Sequence, residues 1–119
     1  MTTYKKGIRR TSVMVNVPAA VSTLIHPIPA GRSAVIRKIM WLETAGVAGN
    51  LMIGHNLAFV QDLPAINAPA NLAGTMEEDE IPNREFVPSP AGLTTQDIYA
   101  LTTAGTTVAV QLEIEEYGA

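Results

Sequence analysis

Residues 97–117 read DIYALTTAGTTVAVQLEIEEY, and the second half of this stretch decides the fold class. Val108, Val110, Leu112 and Ile114 alternate with Thr107, Ala109, Gln111, Glu113 and Glu115, a period of two that gives a strand one buried and one wetted face. Ahead of it, residues 98–103 form a second β-prone run, and Ala104-Gly105 supplies a residue able to take a positive φ between the two. An antiparallel hairpin is therefore expected here. Because a two-stranded ribbon is only marginally stable alone, the preceding residues must cover its apolar face.

Working outward, the 119 residues hold one domain, enough chain to bury about two thirds of its unfolded surface. Hydrophobic residues make up 47% and aromatics 5%, so the core must be aliphatic, which suits closely packed sheets. There is no cysteine, which excludes disulfides, thiolate metal sites and a cysteine nucleophile. The start, MTTYKKGIRR, has no apolar segment behind it, and no run approaches the roughly 18 apolar residues of a membrane span. A soluble, unprocessed chain with no membrane partner is expected.

Charge is distributed unevenly. Lys5, Lys6, Arg9, Arg10, Arg32, Arg37 and Lys38 precede residue 41 and no acid does; from there on, eleven acids face Arg84 alone. The first forty residues thus carry +7 and the remainder −10. Either an N-terminal strand pairs with the acidic C-terminal strand, or a basic arm reaches an acidic partner. Four cations within six positions could also neutralise phosphates, but no aromatic interleaving beyond Tyr4 accompanies them, which disfavours nucleic acid.

In chain order, residues 1–12 read as a basic, flexible N-terminal arm and 13–119 as a single β-sandwich domain. Val13, Val15 and Val17 alternate in a short strand stopped by Pro18, and residues 21–28, broken by Pro27, suit an edge strand. Residues 28–31 (IPAG) read as a type I turn. In residues 33–44 strict alternation would bury either Arg37 or Lys38. A bulge at that pair instead aligns Ile36, Ile39 and Trp41 inward and turns both cations outward, which avoids an unpaired buried charge. A turn over residues 46–49, strands over 50–55 and 57–63, and a proline-broken loop over 64–74 that is tucked against something follow. Pro82-Asn83 then turns the chain into residues 84–87, and 88–92 connects to the final stretch. Seven to eight short strands with frequent turns and no amphipathic helix indicate an all-β, antiparallel, jelly-roll-like β-sandwich.

Catalytic signals are missing. His26 and His55 stand apart from any HxH or HExxH pattern, which argues against a cupin-type metal site, and neither a GxSxG motif nor a phosphate loop is present. The acidic run Glu77, Glu78, Asp79 and Glu80 lacks the spacing of a calcium loop and reads as a solvated loop or as a contact for a neighbour's basic arm. No catalytic residue, metal or cofactor is expected. An enzyme would need a pocket gathering at least two of His26, His55, Asp97 and the acids at 77–80.

The proline-glycine turn feeding a long strand (IPAGRSAVIRKIMWLET), the glycine-flanked strand GNLMIGH, the Asp-Ile-Tyr-Ala strand and the closing TTVAVQLEIEEYG together resemble small β-sandwich virion proteins of tailed bacteriophages, of the decoration or cement type. The likeness spans residues 28–118, and Thr95-Gln96 stands where many such proteins have a glycine before the aspartate at the Asp97 position. It implies a non-enzymatic protein on the capsid surface, soluble in the host cytoplasm before assembly. The implied partners are the major capsid protein and further copies of the chain, a homotrimer being favoured. Lys5, Lys6, Arg9 and Arg10 of the arm would then contact the partner, and Ile66, Leu72, Glu77, Glu78, Asp79 and Glu80 would line a subunit interface. Alternatives are a minor capsid, neck or tail protein, or a carbohydrate-binding sandwich module using Trp41 or Tyr99.

Overall fold

The structure, a computed structural model, describes residues 7–28, 32–81, 85–86 by their backbone, and 97–118. Lys5, Lys6 and the turns expected around 29–31, 82–84 and 88–92 lie outside the described residues.

Among the described residues the chain forms eleven strands and one short 3-10 turn. The strands are β1 (Ile8–Thr11), β2 (Val15–Val17), β3 (Thr23–His26), β4 (Arg32–Glu43), β5 (Gly49–His55), β6 (Val60–Gln61), β7 (Ile66–Ala68), β8 (Ala73–Glu77), β9 (Glu85–Phe86), β10 (Ile98–Thr102) and β11 (Val108–Gly118). They build two antiparallel sheets packed face to face. The first runs β1-β11-β4-β8, with β2 beside β1 on β11 and β9 beside β8 on β4; the second runs β3-β10-β5-β6, with β7 also on β5. The fold is an antiparallel β-sandwich.

The alternation in β11 does what its pattern implies. Val108, Val110, Leu112 and Ile114 are fully buried, together with Ile36 and Ile39 of β4, against Leu51, Ile53, Ile98 and Ala100 of the second sheet. Removing each large aliphatic side chain from water contributes about 1.5–3 kcal/mol, and this layer holds the sheets together. The register of β4 on β11 shifts by one residue, so that Glu113 faces Lys38 while Ile114 faces Ile36. Arg37 is the extra residue of a β-bulge, and both cations turn outward as the sequence predicts. Trp41 packs against the core from its edge.

Three expectations are corrected. First, β10 and β11 are not a hairpin. β10 pairs with β3 and β5, whereas β11 pairs with β1, β2 and β4, so the chain crosses from one sheet to the other at Gly105, whose φ is +86°. A tight turn with one positive φ serves an arch as readily as a hairpin, and here each strand faces the other across the core.

Second, the boundary after residue 12 dissolves. Ile8–Thr11 pairs with residues 113–116 of β11, and buried Ser12 continues the ladder: its N–H donates to Leu112 O and its Oγ accepts from Leu112 N–H, both at 2.8 Å. The Ser12 carbonyl instead accepts from the Gln111 amide at 3.1 Å, and Val13 and Met14 then bulge outward before β2 resumes. The pairing of basic N-terminal strand with acidic C-terminal strand is the use this part of the chain makes of its charge.

Third, Ile66 is not on an interface. It lies in β7 and is 7% exposed, because pairing of β7 with β5 turns Ile66 and Ala68 into the core. The segment expected as a loop over 64–74 thus supplies one short strand and the start of another.

Candidate functional site

Outside the core, the side chains with chemistry gather in three places. The first is the outer face of the first sheet. Arg37 donates from Nη1 to Glu78 at 2.9 Å and from Nε to Glu115 at 3.2 Å, and its Nη2 donates to the Tyr117 hydroxyl at 2.6 Å. Tyr117 in turn donates to Glu115, and Arg9 of β1 pairs with the same carboxylate at 3.2 Å. The bulge creates this arrangement, since without it Arg37 and Lys38 could not both face outward. The Tyr117 hydroxyl bond, opposed by burial and aided by Arg37 and Arg9, holds the Glu115 carboxyl below the ordinary carboxylate range. Tyr117 is pushed up by the same bond and by burial.

The second place is one end of the sandwich. Glu116 continues the inward alternation of β11 and is 2% exposed. It accepts from His26 Nε2 at 2.9 Å and from Arg10 Nε, with Arg32 3.7 Å away. Burial pushes this carboxyl up, but the hydrogen bonds from His26 and Arg10 outweigh it and Glu116 sits below its ordinary value.

The third place is the opposite end, where the chain crosses between sheets after β4, β7 and β10. Buried Glu43 accepts from the backbone N–H groups of Ala45, Gly46, Val47, Asn71 and Thr107 at 2.7–3.2 Å. One carboxylate therefore ties three crossover turns together. Burial opposes ionisation, yet these backbone donors lower its pKa to about 2. Glu43 carried no motif; its signal is an acid at the inward end of a strand directly before a glycine turn.

The remaining candidates sit in separate hydrogen-bonded or ionic pairs. His55 Nδ1 lies 2.7 Å from Asp62 across the β5–β6 turn, and His26, in its own pair with Glu116, stands across β10 from it, the two histidines flanking Ile98. Asp97 accepts from the Ile28 N–H at 2.9 Å. Glu77 pairs with Lys38 at 3.7 Å, and Glu80 accepts from the Glu77 N–H at 3.1 Å. Leu72 is 57% exposed and Asp79 is exposed. Gly74 lies directly against the indole of Trp41, which leaves that ring covered. Among the described residues no group of three or more His, Cys, Asp or Glu could hold a metal ion, and no helix is long and apolar enough to cross a membrane.

A solved structure shares this architecture. A chain of the acidic stable capsid structure of Helicobacter pylori bacteriophage KHP30 matches with a TM-score of 0.51 at 7% identity, over 98% of this chain and 97% of that one. The likeness shows the fold. A chain from the pili of Bacillus endospore appendages matches at TM-score 0.49 and 10% identity, over 99% and 95% of the two chains. The Tobacco streak virus coat protein matches at 0.47 and 9%, over 100% and 91%. No protein-family model and no curated protein matches the chain.

Proposed function

We propose that this chain is a non-enzymatic virion structural protein: a decoration or cement protein that binds the outside of a phage capsid and bridges neighbouring capsomers. The observation that carries this reading is the shared fold with a phage capsid chain over nearly the whole of both chains. It suits the way the titratable side chains are engaged within the fold: His26 with Glu116, His55 with Asp62, and Asp97 with the Ile28 N–H. In this reading the major capsid protein is the partner and the assembled copies, favoured as trimers, sit on the shell surface.

Lys5, Lys6, Arg9 and Arg10 would contact the shell, with β1 as a rigid base rather than part of a free arm; the side chains of Arg9 and Arg10 remain 62% and 48% exposed beyond their internal partners. Leu72 and the acids at 77–80 would lie between copies. Light scattering of the full chain with and without empty shells tests the reading: saturable shell binding is expected, and a protein indifferent to shells would overturn it. Lys5→Glu/Lys6→Glu should weaken binding while leaving the melting temperature unchanged. Undiminished binding by that variant removes the basic segment from the contact.

A further inference from the structure

One hydrogen bond fixes which way the backbone of β1 faces. The Ser12 N–H points at β11, where it donates to Leu112 O at 2.8 Å. In an antiparallel ladder consecutive residues turn to opposite sides, so Arg10 and Ile8 also bond toward β11, opposite Ile114 and Glu116. Arg9 and Thr11 therefore aim their N–H and C=O groups away from the sheet. Among the described residues nothing pairs with β1 on that side, and every residue of the strand is exposed.

The side chains of β1 are also only partly engaged. Arg9 meets Glu115 through Nε and Arg10 meets Glu116 through Nε, whereas Arg37 donates from all three of its nitrogens. A cleft of about 340 Å³ opens beside the strand, lined by Arg9, Arg10, Thr11 and Glu113. The cleft is bipolar: the two arginines border one part of it, and Glu113 borders another, opposite the short Thr11 side chain.

We propose that this edge takes up an extended segment of a partner protein as an added antiparallel strand, with an acidic residue level with Arg9 and a basic residue two positions before it, level with Thr11. Backbone groups of the segment would bond to those of Arg9 and Thr11. Its acid would meet the outer nitrogens of Arg9 directly across the new ladder, and its base would reach over Thr11 to Glu113. A run of acids would be repelled by Glu113. A nucleic-acid backbone would meet the same carboxylate and supply no ladder. The assignment deepens the proposed contact of Arg9 and Arg10 with the shell, and it rests on that reading for the origin of the segment.

A capped peptide, Thr-Val-Lys-Thr-Glu-Val-Thr, tests this with no shell present. Titrated into isotope-labelled protein, it should bind saturably, shift the Arg9 and Thr11 amide signals and slow their exchange with solvent several-fold. Ile8 and Arg10, already bonded to β11, should keep their exchange rates. The peptide with Gln in place of both Lys and Glu should bind several-fold more weakly. Thr11→Pro removes an N–H that faces the open edge, where proline is tolerated, so it should abolish binding with little change in melting temperature. Arg9→Gln, at an exposed position, should weaken binding several-fold and leave the fold intact. A peptide that does not bind overturns the proposal. So do equal binding of the Gln peptide, shifts that survive Thr11→Pro, and the same shifts produced by inorganic phosphate alone. Because no shell is used, peptide binding by a protein indifferent to shells would uphold this site and overturn the shell reading alone.

Discussion

His26 Nε2 donates to Glu116 Oε2 at 2.9 Å, joining the last residue of β3 in one sheet to the interior end of β11 in the other. Arg10 adds a second donor to the same carboxylate, so three strands meet on one buried group.

Glu116→Gln should destabilise the fold at neutral pH by roughly 1–3 kcal/mol, because His26 and Arg10 lose a charged acceptor that is itself buried. The folded state holds Glu116 below its ordinary value, so its contribution is complete above the unfolded carboxylate pKa near about 4.3 and is lost as pH falls through the lower folded value. Thermal melts from pH 7 to pH 3 should show the gap between wild type and variant narrowing at the acid end. A gap independent of pH would remove the ionised carboxylate from the account.

Glu43→Gln should lower the melting temperature more than Glu113→Gln, since only Glu43 gathers backbone donors from three crossover turns. With its pKa at about 2, the ionised group persists to lower pH than an ordinary carboxylate. The difference between wild type and Glu43→Gln should therefore begin to shrink below about pH 4.3 and vanish near pH 2. Amide exchange should accelerate at Gly46, Asn71 and Thr107 together.

Gly74→Ala should shift the intrinsic fluorescence, for which Trp41 is the only indole in the chain. A Cβ at Gly74 would collide with the Trp41 ring, so the ring must move off the core at a cost of about 1–3 kcal/mol. Unchanged emission and stability would mean that the ring is not held where the sheet places it.

Arg37→Ala should cost roughly 1–3 kcal/mol in denaturant unfolding, because it removes donors to Glu78, Glu115 and Tyr117 at once. Lys38→Ala, whose one ion pair among the described residues spans 3.7 Å to a half-exposed Glu77, should stay within about 0.5 kcal/mol. Equal costs would contradict the central place of Arg37 among the outer-face contacts to Glu78, Glu115 and Tyr117.

Much of the fold was legible from alternation and punctuation. The inward set of β11 and the bulge at Arg37 could be read because a period of two and the cost of a buried cation are local facts. The same alternation, carried one step further, would have marked Glu116 as an inward acid. Glu43 was less visible, because its five donors come from turns spread between residues 45 and 107.

The sequence by itself determined the inward set of β11 and the bulge that turns Arg37 and Lys38 outward; it left open whether the basic beginning meets the acidic end of its own chain or a partner. Only the tertiary structure decided the pairing. Gly105 permits residues 98–102 and 108–118 to lie side by side or to face one another across the core, and nothing in its φ of +86° distinguishes the two. The choice falls to distant partners, β3 and β5 for one strand and β1, β2 and β4 for the other. Burying the apolar face of β11 against a second sheet removes more of it from water than any hairpin could, and that long-range gain overrides the local turn.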